Sequence, residues 1–303
     1  MAAVTRGLEG ARALRVRVRV ARVRPEREEP DGLRVLAWHA LVAASTALDT
    51  PGAAPASPAR FHACLNSKAT LVWTATRAGR VVGLAMLRLP AASGTGRAQV
   101  HVHPDHRRRG VGGRLVDTLI TEARARDLHG VIVTVPADGS GDALCVKRGL
   151  VRLRTLHHLL LSLRDVHPGW LDEMAAVEHP GYRLTETAQI MPPGRDTLSG
   201  DVLLTVAAEH GRKVVGCTEV VVPAGGGTRA TQFDQLPGDG HRLGLDLWVK
   251  AAMLRLLYGR YPQVTQVVTD NPEHDAELLD VNRHLGFRMH HRVHEYRLDL
   301  GAD

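Results

Sequence analysis

The stretch of residues 100–114 constrains the fold of this chain more than any other part of the sequence. It begins as a short apolar strand, passes through a loop of three arginines and closely spaced glycines, and continues as an amphipathic helix from about Val111. The first turn of a helix leaves backbone N–H groups without partners and carries the positive end of the helix dipole. An anion binds well at such a place, so the order of strand, glycine loop and helix predicts a diphosphate cradle.

The residues of the loop also suit a diphosphate. Gly110, Gly112 and Gly113 have no side chains to obstruct the ligand, and the neighbouring arginines add positive charge. The spacing fits neither the Walker pattern, which requires Gly-Lys-Ser/Thr, nor the dinucleotide fingerprint with its three spaced glycines. An arginine-rich turn that only caps a helix is the alternative, and the flanking strand and helix argue against it.

The pattern Arg107-x-x-Gly110-x-Gly112 resembles motif A of the Gcn5-related N-acetyltransferases (GNAT family), whose signature is Gln/Arg-x-x-Gly-x-Gly/Ala. In that family the loop amides hold the pyrophosphate of acetyl-CoA. The resemblance implies an α+β fold, that is, a mixed α/β chain in which a mostly antiparallel, twisted central sheet is flanked by helices. It also implies acetyl-CoA as co-substrate and no metal. The implied cofactor-binding residues are Val100, Val102, Arg107, Arg108, Arg109, Gly110, Val111, Gly112, Gly113 and Arg114.

The neighbouring elements follow the order that the family uses. Apolar patterns predict strands at 71–76, 81–89, 98–103, 131–135 and 153–163, and a short helix at 143–150. In the family, an Ala-x-Tyr-x-x-x-Gly-Phe helix supplies a tyrosine that protonates the departing thiolate. Here Cys145 stands at the tyrosine position and Leu150 at the phenylalanine.

The second half of the chain repeats the landmarks of the first. Arg80-Val81-Val82-Gly83 recurs as Lys213-Val214-Val215-Gly216, and Gly112 and Gly244 follow at nearly equal spacing. A helix, a strand, a further helix and a closing strand then come in the same order. This repetition predicts two tandem GNAT-type domains, residues 1–165 and 166–303.

The two copies differ in their fitness for a cofactor. Asp239 and Arg242 align with Arg107 and Gly110, which puts a carboxylate and a bulky side chain where a diphosphate would approach. We therefore expect the first domain to bind acetyl-CoA and the second to be degenerate. The segment 277–287, with an asparagine at the tyrosine position, resembles the tandem acetyltransferases related to mycothiol synthase.

Acetyl transfer requires a polarised carbonyl, a deprotonated amine and a protonated thiolate. The resemblance implies a strand bulge that aims a backbone N–H, at Val102 or a neighbour, at the thioester oxygen. His101 and His103 are candidate bases, expected on one face of the strand, and Cys145 is a candidate proton donor. The histidines have two other readings, as polar lining or as a metal pair without a third ligand. A buried structural role is the alternative for Cys145.

The composition limits the classes of partner that we expect this chain to bind. The net charge is +7, but aromatic residues make up only 4% of the chain and offer little for stacking bases. Arg15, Arg17 and Arg19 alternate with valines, which indicates the solvated face of a strand. Nucleic acid is therefore not an expected partner.

No apolar run is long enough to cross a membrane, the N-terminus lacks the apolar core of a signal peptide, and the three cysteines are scattered. We expect a cytoplasmic N-acetyltransferase that uses a small-molecule or peptide amine acceptor, with its oligomeric state open. The alternative is a non-catalytic acetyl-CoA binder or scaffold protein with degenerate GNAT domains.

Overall fold

The computed structural model describes residues 18–23, 32–90, 94–192, 198, 200–235 and 244–301. Within these residues a 12-stranded sheet is flanked by seven α-helices. The strands are β1 Arg19–Val23, β2 Thr70–Arg77, β3 Arg80–Arg88, β4 Thr95–Val102, β5 Gly130–Pro136, β6 Val151–Ser162, β7 Tyr182–Ile190, β8 Val202–His210, β9 Lys213–Val222, β10 Arg229–Gln235, β11 Gln266–Pro272 and β12 Arg288–Asp299. The helices are α1 Gly32–Asp49, α2 Pro58–Asn66, α3 Val111–Arg124, α4 Ser140–Lys147, α5 Pro168–Ala175, α6 Leu245–Arg260 and α7 Ala276–His284.

The sheet is continuous and nearly symmetric. Its strand order is β1-β2-β3-β4-β5-β12-β6-β11-β10-β9-β8-β7, so each half contributes six strands in mirrored order. Among these strands only β4 with β5 and β10 with β11 pair in parallel. The expected mixed α/β fold with a mostly antiparallel sheet is confirmed, while the division at residue 165 stays a prediction.

The last strands of the two halves are exchanged. β12, at the end of the chain, pairs with β5 and β6, and β6 in turn pairs with β11. Each half therefore completes its sheet with a strand from the other half. As a result Tyr296, on β12, is buried in the core of the first half.

Helix α3 lies where the sequence predicts it and packs with its apolar stripe on the sheet. Val111, Leu115, Leu119 and Ala123 are buried. A Cβ atom on Gly83 of β3 would come within 2.9 Å of the Leu115 and Val111 side chains, so glycine at this position allows the helix to lie close.

Other predicted bounds are corrected by the structure. α4 begins at Ser140 rather than at 143 and ends before Gly149, which has a φ of 72°. In the second half α7 begins at Ala276, because the Asp275 side chain caps it by accepting the N–H of Leu278 at 3.0 Å.

The predicted N-terminal strand is described only in part. β1 begins at Arg19, whereas Arg15 and Arg17 lie outside the described residues. No helix among the described residues has the length and apolar character needed to cross a membrane.

Candidate active site

The loop before α3 presents a row of unpartnered backbone donors. Gly110 is the N-cap of α3, with a left-handed φ of 79° and no side-chain cap. Across the described part of the chain, no acceptor is found for the backbone N–H groups of residues 110–113. A Cβ atom on Gly110 would meet nothing within 4 Å, so the approach to this residue is open, whereas one on Gly113 would lie 2.7 Å from an Arg148 guanidinium nitrogen. The geometry of these N–H groups is that of an anion cradle at a helix N-terminus.

The arginines of this region divide into two groups. Arg108 and Arg109 are exposed and form no ion pair with described residues, so their guanidinium groups are available to a ligand. Arg114 instead donates Nη1–H to the carbonyl of Val18 on the approach to β1, at 2.7 Å. Among the described residues, two of the predicted phosphate-binding arginines are therefore free of ion pairs, and of these Arg108 lines the cleft that contains the cradle.

Arg107 lines the cleft and also has a structural role that the sequence does not predict. All five of its N–H donors have protein acceptors: both Asp49 oxygens at 2.6 and 2.7 Å, Ser45 Oγ at 3.0 Å, and Ser140 Oγ and the Val102 carbonyl at 3.2 Å. Arg107 thus joins the end of α1, the end of β4 and the start of α4. The one acidic residue of α1, at its last position, was the available signal for this partner.

β4 and β5 diverge beside the cradle. They pair only from Thr95 to Ala98. His103 donates its N–H to Val82 of β3 at 3.0 Å, and donor direction alternates along a strand, so the N–H groups of Val100 and Val102 point into the gap left by β5. The predicted bulge is wrong, since β3 and β4 pair up to Val102 without a register shift. The separation of the strands exposes the N–H groups instead.

A cavity of about 1440 Å³ joins these features. It extends from the N–H cradle through the gap between β4 and β5 to α1 and α2, and on to the second half of the chain. The second half contributes a wall with several apolar side chains, among them the half-exposed Phe233. The wall residues from β8, β9 and β10 are Leu203, Glu219, Val221, Thr231 and Phe233.

The two candidate bases are not brought together. His101 lines the cavity, and burial lowers its pKa to about 4, with Arg107 adding to the effect and Asp49 opposing it. His103 lies outside the cavity wall and caps a turn after β4, where its Nδ1 accepts the N–H of Asp105 at 3.4 Å. Within the described residues no group of three histidine, cysteine or acidic side chains is placed to hold a metal ion.

Cys145 lies on α4 in the cavity wall and is buried. Burial and the nearby Asp142 raise the pKa of its thiol from 9.0 to about 11. The thiol is therefore protonated at neutral pH. Because it is a weaker acid than an ordinary thiol, proton transfer from it to an ordinary thiolate is unfavourable.

Asp142 is a site residue that sequence reasoning missed. Its Oδ1 accepts hydrogen bonds from the Tyr296 hydroxyl and from His294 Nδ1, the latter at 3.0 Å. No local sequence signal marks this contact, because its partners reach the first half only through the exchange of strand β12.

The second half has a cleft at the corresponding place. β10 and β11 pair only from Arg229 to Gln232. Gly244 is the N-cap of α6 with a φ of 66°, so it corresponds to Gly110. The sequence spacing pairs it with Gly112 instead. Asp239 and Arg242, whose effect on a diphosphate was predicted, lie outside the described residues.

This second cleft is filled by protein. Lys250 is fully buried and donates from Nζ to Asp234 at 2.7 Å and to Asn282 at 2.8 Å. Asn282 in turn donates to Asn271 at 2.9 Å. These four residues are called the polar plug below.

Comparison with known proteins identifies the class. Residues 38–143 match the family model of the Acetyltransferase (GNAT) family, a stretch that runs from α1 past the N–H cradle into α4. This segment is similar to a GNAT domain, and the whole chain has the fold of a tandem GNAT protein.

Solved structures support the tandem assignment over nearly the full length. A tandem GNAT protein from the clavulanic acid biosynthesis pathway, determined without AcCoA, is similar with a TM-score of 0.75 and 24% identity, covering 95% of this chain and 100% of that one. A GCN5-related N-acetyltransferase from Sphaerobacter thermophilus gives a TM-score of 0.69 at 16% identity, covering 94% and 96%. No curated protein shows significant sequence similarity.

Proposed function

We propose that this chain is a cytoplasmic N-acetyltransferase that binds acetyl-CoA in its first half and acetylates a small-molecule or peptide amine in the cavity between its halves. The observation that carries the proposal is the row of free N–H donors at residues 110–113, which opens directly onto the gap between β4 and β5. The match of residues 38–143 to the acetyltransferase family supports it.

Each part of the cofactor has protein groups suited to it. The diphosphate takes the N–H groups of residues 110–113 and the charges of Arg108 and Arg109. The pantetheine arm lies between β4 and β5, where Val100 offers unpaired backbone groups. The N–H of Val102 faces the same gap and is placed to stabilise negative charge on the thioester oxygen.

The chemistry is direct attack of a neutral amine on the thioester carbonyl. Nitrogen bonds to the acetyl carbon, the carbon–sulfur bond breaks, and the amine loses a proton as the thiolate gains one. With a pKa of about 4, His101 accepts a hydrogen bond from the amine but does not keep its proton. We therefore route both proton transfers through water in the open cavity.

The acceptor side favours an amine with an apolar body. Phe233, Leu203 and Val221 from the second half line the cavity opposite Phe61 and Met86 of the first. Burial of apolar ligand atoms against such a surface is favourable by a free energy of roughly 25 cal/mol per Å² of apolar area removed from water. An acceptor panel should therefore set aromatic and aliphatic amines and peptides beside polar amines such as aminoglycosides.

A non-catalytic acetyl-CoA binder is the second candidate. It is favoured by two pKa directions, because the low pKa of His101 and the high pKa of Cys145 make both groups poor at moving a proton near neutral pH. Acceptor-dependent release of coenzyme A thiol from acetyl-CoA decides between the candidates.

The direct test is calorimetric titration of acetyl-CoA into the wild type and the Gly112→Asp variant. Asp246 occupies the matching position of α6, so the variant copies the second half into the first. We expect one site on the wild type and at least a hundredfold weaker binding to the variant, since a carboxylate would enter the cradle. Gly259→Asp, on the exposed end of α6 with nothing within 4 Å of a Cβ atom, is the matched control. A folded wild type that binds no acetyl-CoA would refute the proposal.

A further inference from the structure

We propose that Tyr296 and His294, on the exchanged strand β12, are positioning residues for the acetyl-CoA site of the first half and act through Asp142 of α4. The inference rests on the proposed function and extends it, because it gives the second half a part in building the cofactor site. None of the three side chains lies in the cavity wall.

The contacts around Asp142 are close and mostly buried. Tyr296 is 3% exposed, and both its hydroxyl and His294 Nδ1 hydrogen-bond to the same carboxylate oxygen. The other oxygen accepts the backbone N–H of Asp138 at 3.2 Å. Burial alone would raise the pKa of Asp142, but these hydrogen bonds outweigh it and lower the pKa. Burial and Asp142 raise the pKa of Tyr296 to about 12, so the phenol remains a donor.

Asp142 controls the placement of α4, and α4 is one wall of the cofactor cleft. Ser140, at the start of the helix, accepts a hydrogen bond from Arg107 at 3.2 Å. Leu144 lies 3.3 Å from where a Cβ atom on Gly112 would be, directly against the N–H cradle. Cys145 follows on the same helix and lines the cavity. A rotation of α4 about its first turn would therefore change the width of the cleft.

The second half shows that packing alone needs no carboxylate here. By the register of the repeated helices and strands, Asp142 corresponds to Leu279 of α7 and Tyr296 corresponds to Leu159 of β6. Both leucines are buried in the core of the second half. An apolar pair thus stabilises the half with the plugged cleft, and a hydrogen-bonded pair is found in the half with the open cleft.

Two variants separate positioning from stability. Tyr296→Phe removes a single hydroxyl, and the double variant Asp142→Leu with Tyr296→Leu installs the apolar pair of the second half. Tyr182→Phe on β7 is the matched control, since Tyr182 is partly buried and packs against the core of the second half, away from α4. For each protein, calorimetry measures acetyl-CoA affinity, thermal unfolding measures stability, and peptide-resolved alkylation of the free protein measures the reactivity of Cys145.

We expect Tyr296→Phe to weaken acetyl-CoA binding about tenfold, as for a lost hydrogen bond to a charged group, and to speed alkylation of Cys145. The leucine pair should recover the unfolding temperature without recovering affinity, and Tyr182→Phe should match the wild type in all three measurements. Unchanged affinity and unchanged Cys145 reactivity in Tyr296→Phe would overturn the inference. Absence of acetyl-CoA binding in the wild type would refute the proposed function instead, and the Cys145 measurement would still report whether Tyr296 holds α4.

Discussion

The two clefts of this molecule share a backbone and differ in what fills them. Each lies where a parallel strand pair separates, and each faces a helix whose N-cap is a left-handed glycine, Gly110 or Gly244. By register, the polar plug of Lys250, Asp234, Asn271 and Asn282 corresponds to Val116, Val100, Val135 and Cys145 of the first half. The four residues of the first half leave a cavity, whereas the polar plug of the second half forms a hydrogen-bonded network in its place.

The helix N-termini differ in the same sense. At the position of Gly112, α6 carries Asp246, which is buried and accepts the N–H of Leu247 on Oδ1 at 2.8 Å. The positive end of α6 therefore has a carboxylate from its own chain, while that of α3 has none. A few side chains thus decide whether the cleft in this backbone is open or filled, and the second half also supplies β12 and the wall containing Phe233.

Among the tests of this difference between the clefts, substitution in the polar plug has the largest expected effect. Lys250→Met should lower the free energy of unfolding by about 3–5 kcal/mol, because Asp234 would keep a buried charge without its cation. Urea unfolding followed by circular dichroism measures the loss.

Lys250→Val combined with Asp234→Val copies the apolar residues of the first half and serves as the control. It should recover most of the stability, since an apolar pair needs no charge compensation. If the single variant loses less than about 1 kcal/mol, the plug does not hold the second cleft closed.

His101 offers a smaller test, through pH. Its folded-state pKa is about 4 and its ordinary value is 6.5, so as the pH falls below 6.5 the unfolded chain binds a proton that the folded chain does not. Stability is therefore lost as the pH falls from 6.5 towards 4. We expect His101→Gln, which copies Gln235 of β10, to lose about 1–2 kcal/mol less than the wild type between pH 7 and pH 5. Parallel pH dependence of unfolding in the two proteins would contradict the buried, neutral imidazole.

The sequence predicts the backbone of this molecule better than its contacts. The apolar periodicity of residues 111–124 and the glycines before it are local signals, and they place α3 and its N–H cradle correctly. The exchange of β6 and β12 is not local, because either last strand satisfies the same alternating pattern beside β5. Partners across that exchange, such as Tyr296 for Asp142, could not be read from spacing.

The contacts of Arg107, His101 and His103 likewise depend on elements that the motif does not encode. Arg107 fits the motif equally well as a phosphate ligand or as a clamp on Asp49, and only the position of α1 distinguishes the two roles. His101 and His103 alternate as a strand requires, but β4 ends at Val102 and the chain turns before His103 can join the cavity wall.

Cys145 gives the smallest expected effect and the sharpest test of the proton path. Because its thiol has a pKa of about 11, proton transfer from it to a departing thiolate is uphill, whereas the proton that the attacking amine releases reaches the thiolate through water in the open cavity. Cys145→Ser should therefore keep kcat within about twofold of the wild type once an acceptor is in hand, and Cys145→Ala should behave alike. A tenfold loss of kcat in both variants, with unchanged acetyl-CoA affinity, would restore the thiol as the proton donor. In that case the two clefts would differ in chemistry as well as in space, because the first would have a proton donor, Cys145, at the position where the polar plug has Asn282.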